Sequence, residues 1–141
     1  MTSCRRQALI EAPVEEIWDL VGNPKRHPDW WPRVIEVNGE QFDSGDQYVQ
    51  VTRGPFGSGE TDFLVERKDD MREIKLRCQL TGTYADWQLT EAQGGTFVSL
   101  DMGIDPRGMS RKIFDATFAP RFFRRWAEQS IQGLQEAAGS E

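Results

Sequence analysis

From Arg33 to Ile104 the chain is a succession of six strand-like runs with only short turns rich in Gly and Asp between them. The runs are Arg33 to Glu40, Gln47 to Arg53, Glu60 to Lys68, Glu73 to Leu80, Tyr84 to Glu91 and Thr96 to Ile104. No gap has room for a crossover helix, which predicts an antiparallel meander rather than βαβ units. Alternation is cleanest in Ile74, Leu76, Cys78, Leu80 against Lys75, Arg77, Gln79, and in Val98, Leu100, Met102, Ile104 against Ser99, Asp101, Gly103. Each is the pattern of a strand buried on one face. The same parity turns Phe63, Val65 and Arg67 inward on one strand and Trp87 and Leu89 on another, and leaves Asp62 and Asp86 outward in solvent.

The flanks add helices to this sheet. Residues 4 to 11 read as a further strand, the seventh in all, running into Ala12-Pro13, where proline suits the first position of a helix. Val14, Ile17, Leu20 and Val21 then recur at helical spacing, and Gly22-Asn23-Pro24 supplies a stop. The segment PKRHPDWWP holds three prolines, so it predicts only a tight helical turn around Pro28 to Trp31, with its two tryptophans pointing in different directions. From Ser110 onward the tail is helical, with one apolar row of Phe114, Phe118 and Phe122 and a second of Phe123, Ala127, Ile131 and Leu134. The change of phase at Pro120 predicts a kink or restart there.

The order β-α-α-β6-α is that of an α+β domain with its helices on one side of the sheet. At 141 residues the chain is one domain, 1–141, with one core. A seven-stranded twisted sheet curls, and where it diverges from a long helix it leaves an internal cavity, the usual place for a small ligand. Five Trp and eight Phe supply the aromatic surface to line it.

Charge and composition remove several other classes. A net charge of −6 and a pI near 4.9 argue against nucleic acid as a partner. Two cysteines, Cys4 and Cys78, stand in no metal or disulfide pattern, which fits a reducing, cytoplasmic setting. A single histidine, His27, rules out a poly-histidine metal centre, and carboxylate-only metal binding stays open. No apolar run approaches the ~18 residues a membrane span needs. The expectation is a chain without cofactor or metal, monomeric or homodimeric, whose partner is a small hydrophobic molecule.

The stretch IEAPVEEIWDLVGNPKRHPDWWP resembles the opening of the START-like, helix-grip superfamily, and within it the polyketide cyclase/dehydrase branch. The most specific part is Ile10-Glu11-Ala12-Pro13 followed by Ile17-Trp18 and the Pro/Trp-rich turn, and the closing helix agrees in place and length. In aromatising members of the branch, the resemblance implies a cavity arginine on the strand that holds Arg67 and a cavity tryptophan matching Trp87. It also implies a tyrosine and a tryptophan where this chain has Val34 and His27, two departures from the ring-closing pattern.

Each candidate residue has two readings. Trp87 either fills core or forms a wall on which a flat ligand stacks. Trp30 and Trp31 divide between guarding the mouth and anchoring the second helix. Phe56, at the tip of Gly54-Pro55-Phe56-Gly57, is a lid or a plain turn residue. Arg67 either holds an anionic group of the ligand or pairs with Glu66 or Asp69 at the surface. His27 is the first choice for proton transfer, or a bystander on a surface turn. The expected lining is completed by Phe63, Val65, Leu76, Cys78, Leu89, Leu100, Met102, Phe123 and Ala127. Three functions follow: a carrier or sensor of a hydrophobic or aromatic molecule, a cyclase/dehydrase using Arg67 with water or His27, or an interaction module of the co-chaperone kind.

Overall fold

The computed structural model describes residues 2–54, 57–80, 82–104 and 119–139. Phe56, Phe114 and Phe118 fall outside them. The elements are β1 (Thr2–Ile10), α1 (Val14–Val21), a 3-10 turn (Pro24–Arg26), α2 (His27–Trp30), β2 (Val34–Asn38), β3 (Gln47–Gly54), β4 (Gly57–Asp69), β5 (Glu73–Cys78), β6 (Thr83–Ala92), β7 (Gly95–Ile104) and α3 (Ala119–Gly139). All seven strands form one antiparallel sheet in the order β1-β7-β6-β5-β4-β3-β2. The meander is in order, and β1 closes back against β7 at one edge.

Register carries the inward parity across the sheet. Cys4, Met102, Ala85, Leu76 and Val65 stand opposite one another in a single row over five strands. Met102, Ala85, Leu76 and Val65 are all buried, and with the helices they join one core. β5 ends at Cys78, one step before the last apolar residue of its alternation, and Leu80 beyond it is 60% exposed.

Strict alternation fails at one place in β4. Val65 stands opposite Leu76 and Arg67 opposite Lys75, so Glu66 is an extra residue, a β-bulge. Two residues on one strand then oppose one on the other, and both turn to the same side. Glu66 and Arg67 therefore lie on the outer face, and Lys68, opposite the inward Ile74, takes the inward position expected of Arg67.

Proline at position 13 lies one step earlier than expected, as the N-cap of α1 with φ −68° and ψ 155°. It needs no amide hydrogen there, and its fixed φ suits the entry. Gly22 closes the helix so tightly against the ring of Trp18 that a Cβ would collide with it.

Helix α3 is amphipathic along its length. Phe123, Ala127, Ile131, Leu134 and Ala138 are buried at helical spacing, as the second apolar row requires. Complete burial of a side chain such as Phe123, Ile131 or Leu134 contributes about 1.5–3 kcal/mol. The helix contacts β1, β7, α1 and α2. A second stripe, Trp126, Ser130 and Gly133, meets the α2 region, where Trp126 Nε1 donates to Pro32 O (2.7 Å) and Trp31 Nε1 donates to Ser130 Oγ (2.7 Å).

Candidate ligand site

The inner face of the sheet, closed by α2 and α3, gathers almost every residue expected to line a site. Phe63, Val65, Leu76, Cys78, Trp87, Leu89, Leu100 and Met102 from the strands, Trp30 and Trp31 from the α2 region, and Phe123 and Ala127 from α3 all belong to one buried cluster. Arg67 is the exception among the described residues.

Aromatic rings dominate the part beneath α2. Trp30 and Trp31 are stacked, with centroids 5.6 Å apart and planes 10° apart. This corrects the expectation of divergent rings. The α-helix ends at Trp30, and Trp31 is already extended (φ −88°, ψ 113°), so the 100° step between neighbours of a helix does not apply. Both rings are buried, and neither guards an opening alone. On their outer side they border an open groove of about 300 Å³ with Pro28, Arg33 and Arg53. Trp87 stands edge-on to both, at 5.4 Å from Trp30 and 5.4 Å from Trp31, and is completely buried.

The indole N–H groups separate these rings into two kinds. Trp30 donates to Leu20 O (3.1 Å), Trp31 to Ser130 Oγ and Trp126 to Pro32 O. Trp87 Nε1 has no hydrogen-bond partner among the described residues. An unpaired buried donor costs about 1–3 kcal/mol, so a buried N–H left this way is uncommon.

His27 is not on a surface turn. It is fully buried in contact with Trp30 and Trp31, and its Nε2 donates to Val21 O at 2.8 Å. Burial pulls its pKa down to about 4, against a smaller upward pull from that hydrogen bond, so the ring is neutral at pH 7. The proton sits on Nε2, and Nδ1 is left as an acceptor without a partner among the described residues.

Toward the other end of the inner face lie two residues that hydropathy does not single out. Tyr48 on β3 stands opposite Phe63, on which its ring stacks at 5.7 Å, and Gln50 stands opposite Thr61. They are 3% and 2% exposed. Gln50 Nε2 donates to Thr52 Oγ1 (2.8 Å), while Gln50 Oε1 and the Tyr48 hydroxyl have no partner among the described residues. Burial, aided by Cys78, pushes the Tyr48 pKa far up and keeps its hydroxyl protonated.

Arg67 is placed outside by the bulge, with its side chain 53% exposed. Its partners are Glu73 (3.1 Å) and Asp86 (3.3 Å), not Glu66 or Asp69. Glu66 instead binds Arg77 (2.8 Å) and Lys75 (3.1 Å). Asp86 is outward as its parity requires, but it is covered by this charged layer, not solvated. Burial first, then the neighbouring Glu73 carboxylate, raise the Asp86 pKa to about 7. The same contact lowers that of Glu73.

The likeness to known proteins agrees with this geometry. The family model described as polyketide cyclase/dehydrase and lipid transport matches residues 1–139. The chain belongs to that family. Among curated proteins none matches the sequence. The solution structure of the Bacillus halodurans protein BH1534 is 15% identical, covers 98% of this chain and 99% of that one, and has a TM-score of 0.76. A Chromobacterium violaceum protein is 16% identical over 99% of both chains with a TM-score of 0.74, and the Bacillus cereus protein XoxI is 17% identical over 99% and 97% with a TM-score of 0.72. At these identities the likeness is one of fold. The resemblance read from Ile10-Glu11-Ala12-Pro13 and the Pro/Trp-rich turn is thus borne out for family and for fold.

Proposed function

We propose that the protein binds a small hydrophobic or aromatic organic molecule between the inner face of its sheet and the α2 and α3 helices, as a carrier or sensor. The observation that supports this is the buried Trp87 N–H without an acceptor among the described residues, set against Trp30, Trp31 and Trp126, whose N–H groups are all bonded. A carbonyl or hydroxyl oxygen of a flat ligand is the kind of group that satisfies it, and the surrounding aromatic faces favour an unsaturated body. Carriage is favoured over ring-closing chemistry by the two residues that such chemistry would use. Arg67 binds Glu73 and Asp86 on the outer face, and His27 is buried as the neutral ring with its proton held by Val21 O.

The test is native mass spectrometry of freshly purified protein, followed by extraction and identification of what is bound. A co-purifying neutral or aromatic molecule of stoichiometric amount is the expected result. Trp87→Phe keeps an aromatic ring, smaller than indole, and removes the N–H, and the loss of one hydrogen bond of about 0.5–1.5 kcal/mol corresponds to at least a two- to tenfold weaker affinity for that molecule. Unchanged affinity in a folded Trp87→Phe protein would overturn the assignment of this donor.

A further inference from the structure

We propose that the ligand carries a neutral hydroxyl, an alcohol or a phenol, and that Tyr48 and Gln50 receive it at the β3 end of the inner face. The inference rests on the ligand-binding reading above and assigns chemistry to a part of the face remote from Trp87.

The two side chains lie two residues apart on one strand, so they share a face and their Cα atoms are about 7 Å apart. Each presents a polar atom that has no partner among the described residues, and each is more than nine-tenths buried. Gln50 Oε1 only accepts, so its partner must bring a donor. The Tyr48 hydroxyl can donate or accept. A ligand hydroxyl does both at once and serves the pair, whereas an ether or ketone oxygen leaves Gln50 unsatisfied.

Charge decides between an alcohol and an acid. The inward neighbours of the pair, Val37, Thr61, Phe63 and Cys78, are all uncharged. No Lys or Arg is among the buried residues described, and the exposed Lys25 places its Nζ on the backbone carbonyl of Val37 at 3.3 Å. Lys68 does face inward, but it sits in the row of Ile74 and Trp87, several residues farther along the strands, and its Nζ is 3.8 Å from the exposed Asp43. Among the described residues no cation is buried beside Tyr48 and Gln50, so a carboxylate there would give up its hydration without close compensation, and moving an unpaired charge into such surroundings is far costlier than moving a hydroxyl.

The experiment measures binding of four matched probes at pH 7 by calorimetry: naphthalene, 2-naphthol, 2-methoxynaphthalene and 2-naphthoate. 2-Naphthol is expected to bind about tenfold tighter than the other three. Gln50→Leu and Tyr48→Phe should each bring the affinity for 2-naphthol close to that for naphthalene measured in the same variant, and either variant suffices if the other does not fold. Equal or tighter binding of 2-naphthoate or 2-methoxynaphthalene, or a naphthol preference that survives both substitutions, overturns the inference and leaves the ligand-binding reading standing. Failure of all four probes to bind, naphthalene included, overturns both.

Discussion

Gly133 of α3 lies against the backbone carbonyl of Trp30, so close that a Cβ at position 133 would collide with that oxygen and crowd Pro32. The contact is backbone to backbone, so neither side can swing away. Gly133→Ala gains about 1 kcal/mol of helix propensity, but overpacking typically costs about 1–3 kcal/mol. The expected net effect is a loss of about 0–2 kcal/mol, read from denaturant midpoints. A higher midpoint for the variant would show that the two helices do not meet as closely as described.

Two buried titrating groups push stability in opposite directions with pH. His27 has a folded pKa of about 4 against 6.5 when free, so the unfolded chain takes up a proton that the fold refuses, and stability falls as pH drops from 6.5 to 4. The difference corresponds to about 3 kcal/mol. Asp86 has a folded pKa of about 7 against 3.8, so the fold keeps a proton that the unfolded chain releases, and stability falls as pH rises from about 4 to 7. Glu73, lowered by Asp86 and Arg67, loses its contribution only below the ordinary carboxylate range. In the intact protein the two main slopes offset one another. Asp86→Asn should expose the rise of stability with pH and stabilise the protein at pH 8, and His27→Gln should expose the fall. Parallel pH profiles for all three proteins in thermal melts would refute both assignments.

Arg67 should matter little to stability and less to binding. The Arg67 side chain is itself half-exposed, so water screens its pairs with the covered Asp86 and with Glu73, and they are of the kind worth about 0–1 kcal/mol. Arg67→Ala is expected to leave ligand affinity unchanged within twofold and to raise the Asp86 pKa further, which NMR titration of the carboxyl resonance would follow. A loss of affinity of tenfold or more would place its guanidinium at the ligand.

Tyr48→Phe is expected to leave the unliganded protein as stable as before or more stable. Deleting a buried hydroxyl that has no partner among the described residues removes a desolvation cost and leaves the ring contacts with Phe63 and Phe42 in place. A fall of more than about 1 kcal/mol in urea unfolding would mean that the hydroxyl is bonded within the protein.

The architecture was legible because hydropathy reports it directly. The alternations at Ile74 to Cys78 and Val98 to Ile104 and the row Phe123, Ala127, Ile131, Leu134 each mark a buried face by period alone. What was not legible depends on backbone geometry between elements. Nothing in Val65-Glu66-Arg67-Lys68 announces an extra residue, since no glycine marks the bulge, and the one-residue offset moves Arg67 from inside to outside. His27 is flanked by Arg26 and Pro28, a surface pattern, and only the packing of Trp30 and Trp31 over it and the carbonyl of Val21 make it a core residue. Tyr48 and Gln50 alternate on β3 without forming an apolar stripe, so their inward direction follows only from their register against Phe63 and Thr61.

Trp30, Trp87, Trp31 and Trp126, in that order, form a chain in which each indole lies within 6.2 Å of the next. At such separations excitation hops between rings faster than it is emitted, so these fluorophores radiate as one unit from whichever ring is lowest in energy. A molecule that quenches Trp87 alone should therefore darken the whole group, which would give the proposed ligand site an optical gauge with no label attached.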